Sequence, residues 1–184
     1  MPIVQYNEGM QPFLTLDESS IDPALQTASR EGYFLREASR AVVSDSNNAV
    51  ALLHVARDGY YKLPGGGIDA GENPLQALER ELLEEIGCRA TVTHELGIVL
   101  EQRYYQDMTQ TSHCFAAQVT GDKGQPNFTQ TELDGGFEIV WAENIHEAIT
   151  LLESSALTSP DEINITFMRT RDVAIAKQAA ALLQ

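Results

Sequence analysis

A glycine-rich turn that runs directly into a glutamate-rich helix constrains this chain more than any other feature of its sequence. The stretch extends from Gly65 to Cys88 and reads GGGIDAGENPLQALERELLEEIGC. Asn73 is a good N-cap, Pro74 suits the first helical position, and Gly87 suits a helix C-terminus. The sequence therefore predicts a helix from residue 74 to residue 86, with a tight turn before it.

The predicted helix separates its acidic residues from its apolar ones. Successive residues rotate by about 100°, so Glu81, Glu84 and Glu85 share one face. Leucine and isoleucine form a separate stripe, made of Leu75, Leu78, Leu82 and Ile86. Clustered carboxylates repel one another, and the helix dipole disfavours them near the C-terminus. A hard divalent cation such as Mg²⁺ would offset these costs, whereas an ordinary solvated acidic face is the alternative interpretation.

The spacing of the fixed residues resembles the signature of the Nudix hydrolases, Gly-x5-Glu-x7-Arg-Glu-U-x-Glu-Glu-x-Gly-U, where U is a bulky apolar residue. Cys88, which is small for U, is the loosest match. Seven fixed positions would match by chance in such a chain with a probability on the order of one in a million. The matching residues, hereafter the Nudix box, are Gly66, Glu72, Arg80, Glu81, Leu82, Glu84, Glu85, Gly87 and Cys88.

The resemblance implies an α/β fold, the Nudix-type α/β/α sandwich with a mixed sheet. Interleaved strand and helix patterns around the box also favour a mixed sheet between helices. We expect residues 37–184 to form this domain and residues 1–36 to be an N-terminal extension whose structure the pattern does not assign. Besides the box helix, the pattern predicts a hairpin of 41–43 and 49–55, strands at 60–63, 96–105, 112–119 and 137–141, a loop over 121–136, and helices over 144–153 and from 161 onward.

The resemblance also implies an activity, the hydrolysis of a nucleoside diphosphate linked to a further moiety X, with Mg²⁺ or Mn²⁺ as cofactor. Glu81 and Glu85 would bind the metal together with the carbonyl of Gly65. Glu84 would be a further ligand or would act through water, and Arg80 would orient the carboxylates. The metal would neutralise the pyrophosphate and lower the pKa of a bound water, from which a carboxylate would remove a proton.

The general base stays open, because it is either a glutamate of the box, Glu81 or Glu84, or one from a later loop. Among the later residues we prefer Glu132, which lies in the predicted loop, over Glu138, which is expected to begin a strand. Arg103 and Tyr105 stand at the end of a predicted strand. They are candidates for binding a phosphate and stacking a base, or else ordinary residues of an exposed strand end.

The net charge limits the partners that the chain can bind. Twelve Lys and Arg stand against 27 Asp and Glu, a formal net charge of −15. Such a surface disfavours nucleic acid and anionic membranes, so we expect a small nucleotide-like diphosphate as partner, with a homodimer also possible. The N-terminus lacks a signal-peptide pattern, and the two cysteines lack CxxC spacing, so we expect reduced thiols and a cytoplasmic protein.

A second class of function stays open beside the enzyme. Some members of the family sense a nucleotide or dock a partner without turnover. Such proteins often lose box carboxylates, and this chain keeps all of them, which favours the enzyme. The box does not reveal the identity of X. Oxidised nucleoside triphosphates, ADP-ribose and related sugars, dinucleoside polyphosphates and NADH all remain candidates.

Overall fold

The computed structural model describes residues 11–22, 34–154 and 162–182. In these residues, strands and helices alternate along the chain and build a sheet with helices on both faces. The strands are β1 (Pro12–Asp17), β2 (Phe34–Ser44), β3 (Val50–Val55), β4 (Tyr60–Lys62), β5 (Arg89–Arg103), β6 (Met108–Thr120) and β7 (Phe137–Ala142). The helices are α1 (Glu18–Ile21), α2 (Pro74–Ile86), α3 (Gln130–Asp134), α4 (Ile145–Glu153) and α5 (Glu162–Leu182), and a 3₁₀ turn (Tyr104–Gln106) joins β5 to β6.

The sheet is mixed, as expected. Its strands follow the order β1-β5-β6-β2-β3-β4, and β7 also pairs with β3. The pairs β1–β5 and β2–β6 are parallel, whereas the other pairs are antiparallel. The hairpin predicted from β2 and β3 is reduced to one pairing, Ser44 with Val50, because the edge of β2 that faces away from β6 binds the backbone of residues 64–68 instead.

Two apolar clusters, one on each face of the sheet, make the three layers. Side chains alternate along a strand, so neighbouring residues of β2 and β3 enter different clusters. The cluster beneath α4 and α5 contains Val42, Val50, Leu52, Ala148, Leu152 and Ile175. The cluster beneath α2 contains Ala41, Val43, Ala51, Leu53, Leu78 and Leu82. The α/β/α sandwich is therefore confirmed, and β3, covered on both faces, is apolar without alternation.

Helix α2 begins and ends where its sequence predicts. Asn73 Oδ1 accepts hydrogen bonds from the backbone N–H groups of Leu75 and Gln76, and the Gln76 side chain accepts one from the Asn73 N–H. This reciprocal cap satisfies N–H groups that would otherwise lack partners at the helix start. At the other end Gly87 adopts the left-handed conformation, with φ of 62°.

Three segments differ from their predictions. Part of the expected N-terminal extension joins the sheet, because β1 pairs in parallel with β5, while residues 1–10 and 23–33 lie outside the described residues. β5 begins at Arg89 rather than residue 96 and ends at Arg103, since its first half pairs with the end of β6. The predicted loop over 121–136 contains α3. Among the residues described, no helix has the length and apolar character to cross a bilayer.

Candidate active site

The glycine turn lies against β2, and this contact fixes its position in front of α2. The backbone N–H of Ser39 donates to the Gly66 carbonyl, and the N–H of Ile68 donates to the Glu37 carbonyl. Gly65 has a φ of +126°, and a Cβ there would lie 2.1 Å from the carbonyl oxygen of Ser39. Only glycine therefore allows the turn to approach β2 this closely.

Glu85 is the buried carboxylate of the site. Its residue surface is 2% exposed. Oε2 accepts a hydrogen bond from the Gly65 N–H at 2.6 Å, and Oε1 pairs with Lys62 Nζ at 2.9 Å. Burial raises the pKa of Glu85, although the positive charge of Lys62 acts in the opposite direction. The sequence did not predict Lys62, because it lies in β4 and no local pattern pairs it with α2.

Arg80 joins the turn to the exposed carboxylates of the box. Its Nε and Nη2 donate to the two carboxylate oxygens of Glu72, each at 2.9 Å. Its Nη1 donates to Glu81 Oε1 at 2.8 Å and to Glu84 Oε2 at 3.4 Å, while Nη2 also donates to the Gly67 carbonyl at 2.9 Å. One guanidinium thus contacts three carboxylates, an arrangement that can orient them.

The ion pair between Glu72 and Arg80 makes a prediction about acid stability. Hydrogen bonding to Arg80 lowers the pKa of Glu72 from 4.5 to about 2. The full stabilisation by this pair is present at pH values above 4.5, the ordinary pKa of glutamate that Glu72 has in the unfolded chain. It is lost as the pH falls through about 2, the pKa of Glu72 in the folded protein. We expect Glu72→Gln to lower the free energy of unfolding near neutral pH and to lower it less at about pH 3. Urea denaturation of both proteins measures the difference, and a gap that does not narrow in acid would contradict the assignment.

The oxygen atoms of the box fit a hard divalent cation by their chemistry. A Cβ on Gly66 would lie 2.1 Å from Glu81 Oε1, so the bare backbone leaves a space that this carboxylate fills. The Glu84 side chain is 42% exposed. Three carboxylates and the Gly65 carbonyl offer the ligands that Mg²⁺ and Mn²⁺ prefer. In the part of the chain that the structure describes, no three His, Cys, Asp or Glu side chains converge as a metal site. Arg80 and Lys62 bind the oxygens of Glu81 and Glu85 instead.

An arginine-lined cavity of about 690 Å³, hereafter the arginine cavity, borders the box. The guanidinium of Arg36 reaches the glycine turn, because its Nη2 lies 3.2 Å from the position of a Cβ on Gly67. The four arginines that line the cavity are Arg36, Arg40, Arg103 and Arg171. The sequence contained one indication of this cavity that was not used: Arg36 and Arg40 lie on the same face of β2 as the core residue Val42. A charged pair at core-facing positions indicates a polar cavity.

The two predicted substrate-binding residues meet beside this cavity. The Arg103 side chain is 5% exposed, and it donates to Glu101 Oε1 and to Asn164 Oδ1, each at 2.5 Å. The hydroxyl of Tyr105 donates to the same Asn164 oxygen at 3.3 Å. Arg103 is therefore a buried residue of the cavity wall and not an exposed strand end, whereas Tyr105 stays at the surface with its ring stacked on Phe167.

One protein-family model matches a stretch of the chain that contains both the box and most of the sheet. The model of the NUDIX domain matches residues 35–152. The chain belongs to the NUDIX family. This assignment confirms the resemblance that the box implied.

Curated relatives of this NUDIX chain share short stretches with it. It is 31% identical over 71 residues to a putative 8-oxo-dGTP diphosphatase of Bacillus subtilis (strain 168), which covers 39% of this chain and 45% of that protein. It is 52% identical over 44 residues to an RNA pyrophosphohydrolase of Helicobacter pylori (strain G27), which covers 24% of this chain and 25% of that protein. The chain thus spans less than half the length of these relatives.

Solved structures resemble the NUDIX chain over most of its length. A NUDIX hydrolase from Nitrosomonas europaea superposes with a TM-score of 0.59 at 18% identity, covering 80% of this chain and 90% of that one. The Ap4A hydrolase of C. elegans superposes with a TM-score of 0.56 at 14% identity, covering 82% and 100%. At such identities the likeness shows the fold, which agrees with the sandwich described above.

The predicted base from the later loop, Glu132, is engaged in a local contact of the NUDIX domain. Its Oε2 accepts hydrogen bonds from the Thr129 N–H at 2.7 Å and from the Thr129 hydroxyl at 2.8 Å, which caps α3. Glu138 lies 4.0 Å from the Nδ1 atom of His54. None of the hydrogen bonds or ion pairs described for these two glutamates reaches α2.

A buried network of ion pairs and hydrogen bonds holds several of the residues that line the arginine cavity. The carboxylate of Glu101, which has no exposed surface, pairs with Arg103 and with Arg171 at 3.3 Å and accepts a hydrogen bond from the Gln110 side chain at 2.5 Å. Asp172 Oδ1 accepts from Arg171 Nε at 2.7 Å. Burial alone raises the pKa of Glu101, but Arg171 and Arg103 outweigh it, so this pKa lies below its usual range. The sequence analysis did not predict this network.

Proposed function

We propose that this protein hydrolyses a phosphoanhydride bond in a nucleoside diphosphate linked to a further moiety, with Mg²⁺ or Mn²⁺ as cofactor. The observation that carries the proposal is the complete box in one arrangement, with Arg80 hydrogen-bonded to Glu81 and Glu84 and with Glu85 bound to the backbone of the turn. The names of the two relatives, a diphosphatase and a pyrophosphohydrolase, support the same class of reaction.

The chain's own residues would hold the metal and position the substrate around it. The carboxylates of Glu81, Glu84 and Glu85 and the Gly65 carbonyl are the proposed ligands. A divalent ion bound there neutralises the charge of a diphosphate and lowers the pKa of an attacking water. Arg80 holds two of the carboxylates in orientation, which removes the entropy cost of ordering them when substrate binds.

Glu84 is our preferred general base. It is the most exposed of the three acidic residues, and its contact with Arg80 is long, at 3.4 Å. Its carboxylate can therefore reach a water and accept a proton more readily than that of Glu81, which Arg80 holds at 2.8 Å. Glu132 is the second candidate, since it would first have to release the backbone of Thr129.

Arg103 and Tyr105 are proposed to bind the part of the substrate that is not cut. Arg103 lines the cavity beside the box, where its guanidinium supplies positive charge. The ring of Tyr105 is 37% exposed, which leaves a surface on which a base can stack.

A hydrolysis screen tests the proposed function. The purified protein is incubated with oxidised nucleoside triphosphates, ADP-ribose, dinucleoside polyphosphates, NADH and a 5′-triphosphorylated RNA, with Mg²⁺ or Mn²⁺ and with EDTA. We expect metal-dependent cleavage of a small nucleotide and no cleavage of the RNA, because a chain with a net charge of −15 repels a long polyanion. Nucleotide binding without cleavage at saturating Mg²⁺ would replace the proposal with a sensor function. Efficient cleavage of the RNA would contradict the argument from charge.

A further inference from the structure

The arginine cavity contains more arginines than there are carboxylates in ion pairs with them. None of the described residues that line it is acidic. The carboxylates that pair with its arginines are those of Glu101, which contacts Arg103 and Arg171, and Asp172, which contacts Arg171. Within the described residues, Arg36 and Arg40 have no ion pair with a carboxylate. Glu81 and Glu101 act on Arg36, and Asp172 and Glu85 act on Arg40, only from beyond ion-pair distance. Two guanidinium groups of this strongly acidic chain therefore face the cavity without a directly paired carboxylate.

Arg40 gives the clearest indication of a missing ligand. The residue is 7% exposed, and its buried Nε has no hydrogen-bond partner in the residues that the structure describes. Its Nη1 donates to the neighbouring Ser39 carbonyl at 3.1 Å. Burial, followed by the charge of Arg171, lowers the pKa of Arg40 to about 10, although Asp172 and Glu85 act in the opposite direction, so the side chain remains charged at neutral pH. A buried guanidinium with an unpaired N–H group is costly, and an anion bound directly to it would remove that cost.

The cavity lies beside the glycine turn that precedes the proposed catalytic groups, because Arg36 and Arg40 both approach this turn. Arg36 reaches Gly67 at one side and donates to the side-chain oxygen of Gln110 at the other, and both Arg36 and Gln110 line the cavity. Arg40 follows Ser39, whose backbone N–H binds the Gly66 carbonyl. A substrate with its diphosphate over the box carboxylates would extend from there into the cavity.

We propose that the arginine cavity binds a phosphoryl group of the substrate other than the diphosphate at the metal, held by Arg36 and Arg40. The proposal rests on the proposed function, because it defines the substrate class of the same site as nucleoside diphosphate derivatives with at least one additional phosphate. A guanidinium matches the oxygens of a phosphate through two parallel hydrogen bonds. An uncharged base or sugar in the cavity would leave Arg40 without a directly bound anion.

Binding of inorganic tripolyphosphate to the metal-free protein tests the proposal directly. Without metal the box carboxylates repel the anion, so calorimetry reports the arginine cavity. We expect the wild type to bind and both Arg36→Gln and Arg40→Met to weaken binding at least tenfold. Arg89→Gln, which removes an exposed arginine paired with Glu79, is the matched control and should bind as the wild type does. No binding by the wild type, or equal binding by all the variants, would overturn the proposal.

Thermal unfolding separates loss of an anion site from loss of the fold. Because Arg40 is buried and forms no direct ion pair within the described residues, Arg40→Met should melt no lower than the wild type in the absence of ligand. Tripolyphosphate should raise the melting temperature of the wild type and leave that of Arg40→Met unchanged. A lower melting temperature for ligand-free Arg40→Met would assign Arg40 a structural role and overturn its part in the proposal.

Matched substrates distinguish the two sources of the additional phosphate. NADPH and NADH differ by a phosphate monoester, whereas ATP and ADP differ by the terminal phosphate of the chain. We expect at least a tenfold preference in kcat/KM for the phosphorylated member of one pair, reduced in Arg40→Met. Hydrolysis with no preference in either pair overturns this inference and leaves the proposed function intact. Tripolyphosphate binding that depends on Arg36 and Arg40, without hydrolysis of any substrate, would support the anion site and contradict the proposed hydrolase function.

Discussion

Glu85→Gln is expected to lower kcat for metal-dependent hydrolysis by about 10³-fold. Glutamine keeps the size of the side chain, and its amide oxygen can still accept the hydrogen bond from the Gly65 N–H. It removes the negative charge that a divalent cation requires, and it leaves Lys62 Nζ, which lies 2.9 Å from Glu85 Oε1, without a counter-ion. Initial rates on a verified substrate at saturating Mg²⁺ measure the effect, with circular dichroism to confirm the fold.

The same helix provides the control for this substitution. Glu79 is exposed and pairs with Arg89, away from the acidic face of α2. Glu79→Gln changes the net charge of the chain and of α2 by the same amount as Glu85→Gln, and it should leave kcat within about twofold. If folded Glu85→Gln retained full activity, or if both variants lost activity equally, Glu85 would not be a metal ligand of the reaction.

Gly65→Ala is expected to lower the free energy of unfolding by about 3 kcal/mol or more. Its φ of +126° disfavours an L-residue, and the new Cβ would lie 2.1 Å from the Ser39 carbonyl oxygen, which β2 holds in place. The turn would have to move away from β2, and the hydrogen bond from the Gly65 N–H to Glu85 would lengthen. Chemical denaturation measures the loss of stability, and we expect loss of activity with it.

Gly71→Ala separates backbone strain from steric collision. Gly71 also has a positive φ, of +92°, but an added Cβ would meet no atom of the described residues within 4 Å. Its replacement should therefore cost only the conformational strain, about 1 kcal/mol. Equal costs at the two positions would show that φ alone, and not the close approach of the turn to β2, explains the need for glycine at position 65.

Helix α2 was predictable because its determinants are local. Asn73, Pro74 and Gly87 act within one turn of the helix ends, and the apolar spacing depends only on the helical period. The apolar runs that form β3 and β7 are likewise short-range patterns. The contact of Arg80 with Glu84 follows from the same geometry, since residues one turn apart on a helix meet.

Strand pairing was less predictable because it joins distant segments. Residues that follow one another along the chain favoured a long hairpin of β2 with β3, yet these strands share one pairing, whereas β2 pairs along its whole length with β6, and β1 pairs with β5. Each parallel pair needs a long connection, which no short pattern encodes. Residues 12–17 include the apolar Phe13, Leu14 and Leu16, but the mixed composition of residues 1–36 gave no indication that β1 would extend the sheet.

The acidic residues of the box were therefore predictable from the sequence, whereas the lysine and arginine side chains around them were not. Periodicity along one helix places Glu81, Glu84 and Glu85 together whatever surrounds them. Lys62 meets Glu85 because β4 packs beside α2. One cavity brings together four arginines from β2, β5 and α5, because these elements pack in one particular order: Arg36, Arg40, Arg103 and Arg171. Charge interactions depend on distance in space, and the distances between separate elements exist only once the chain has folded.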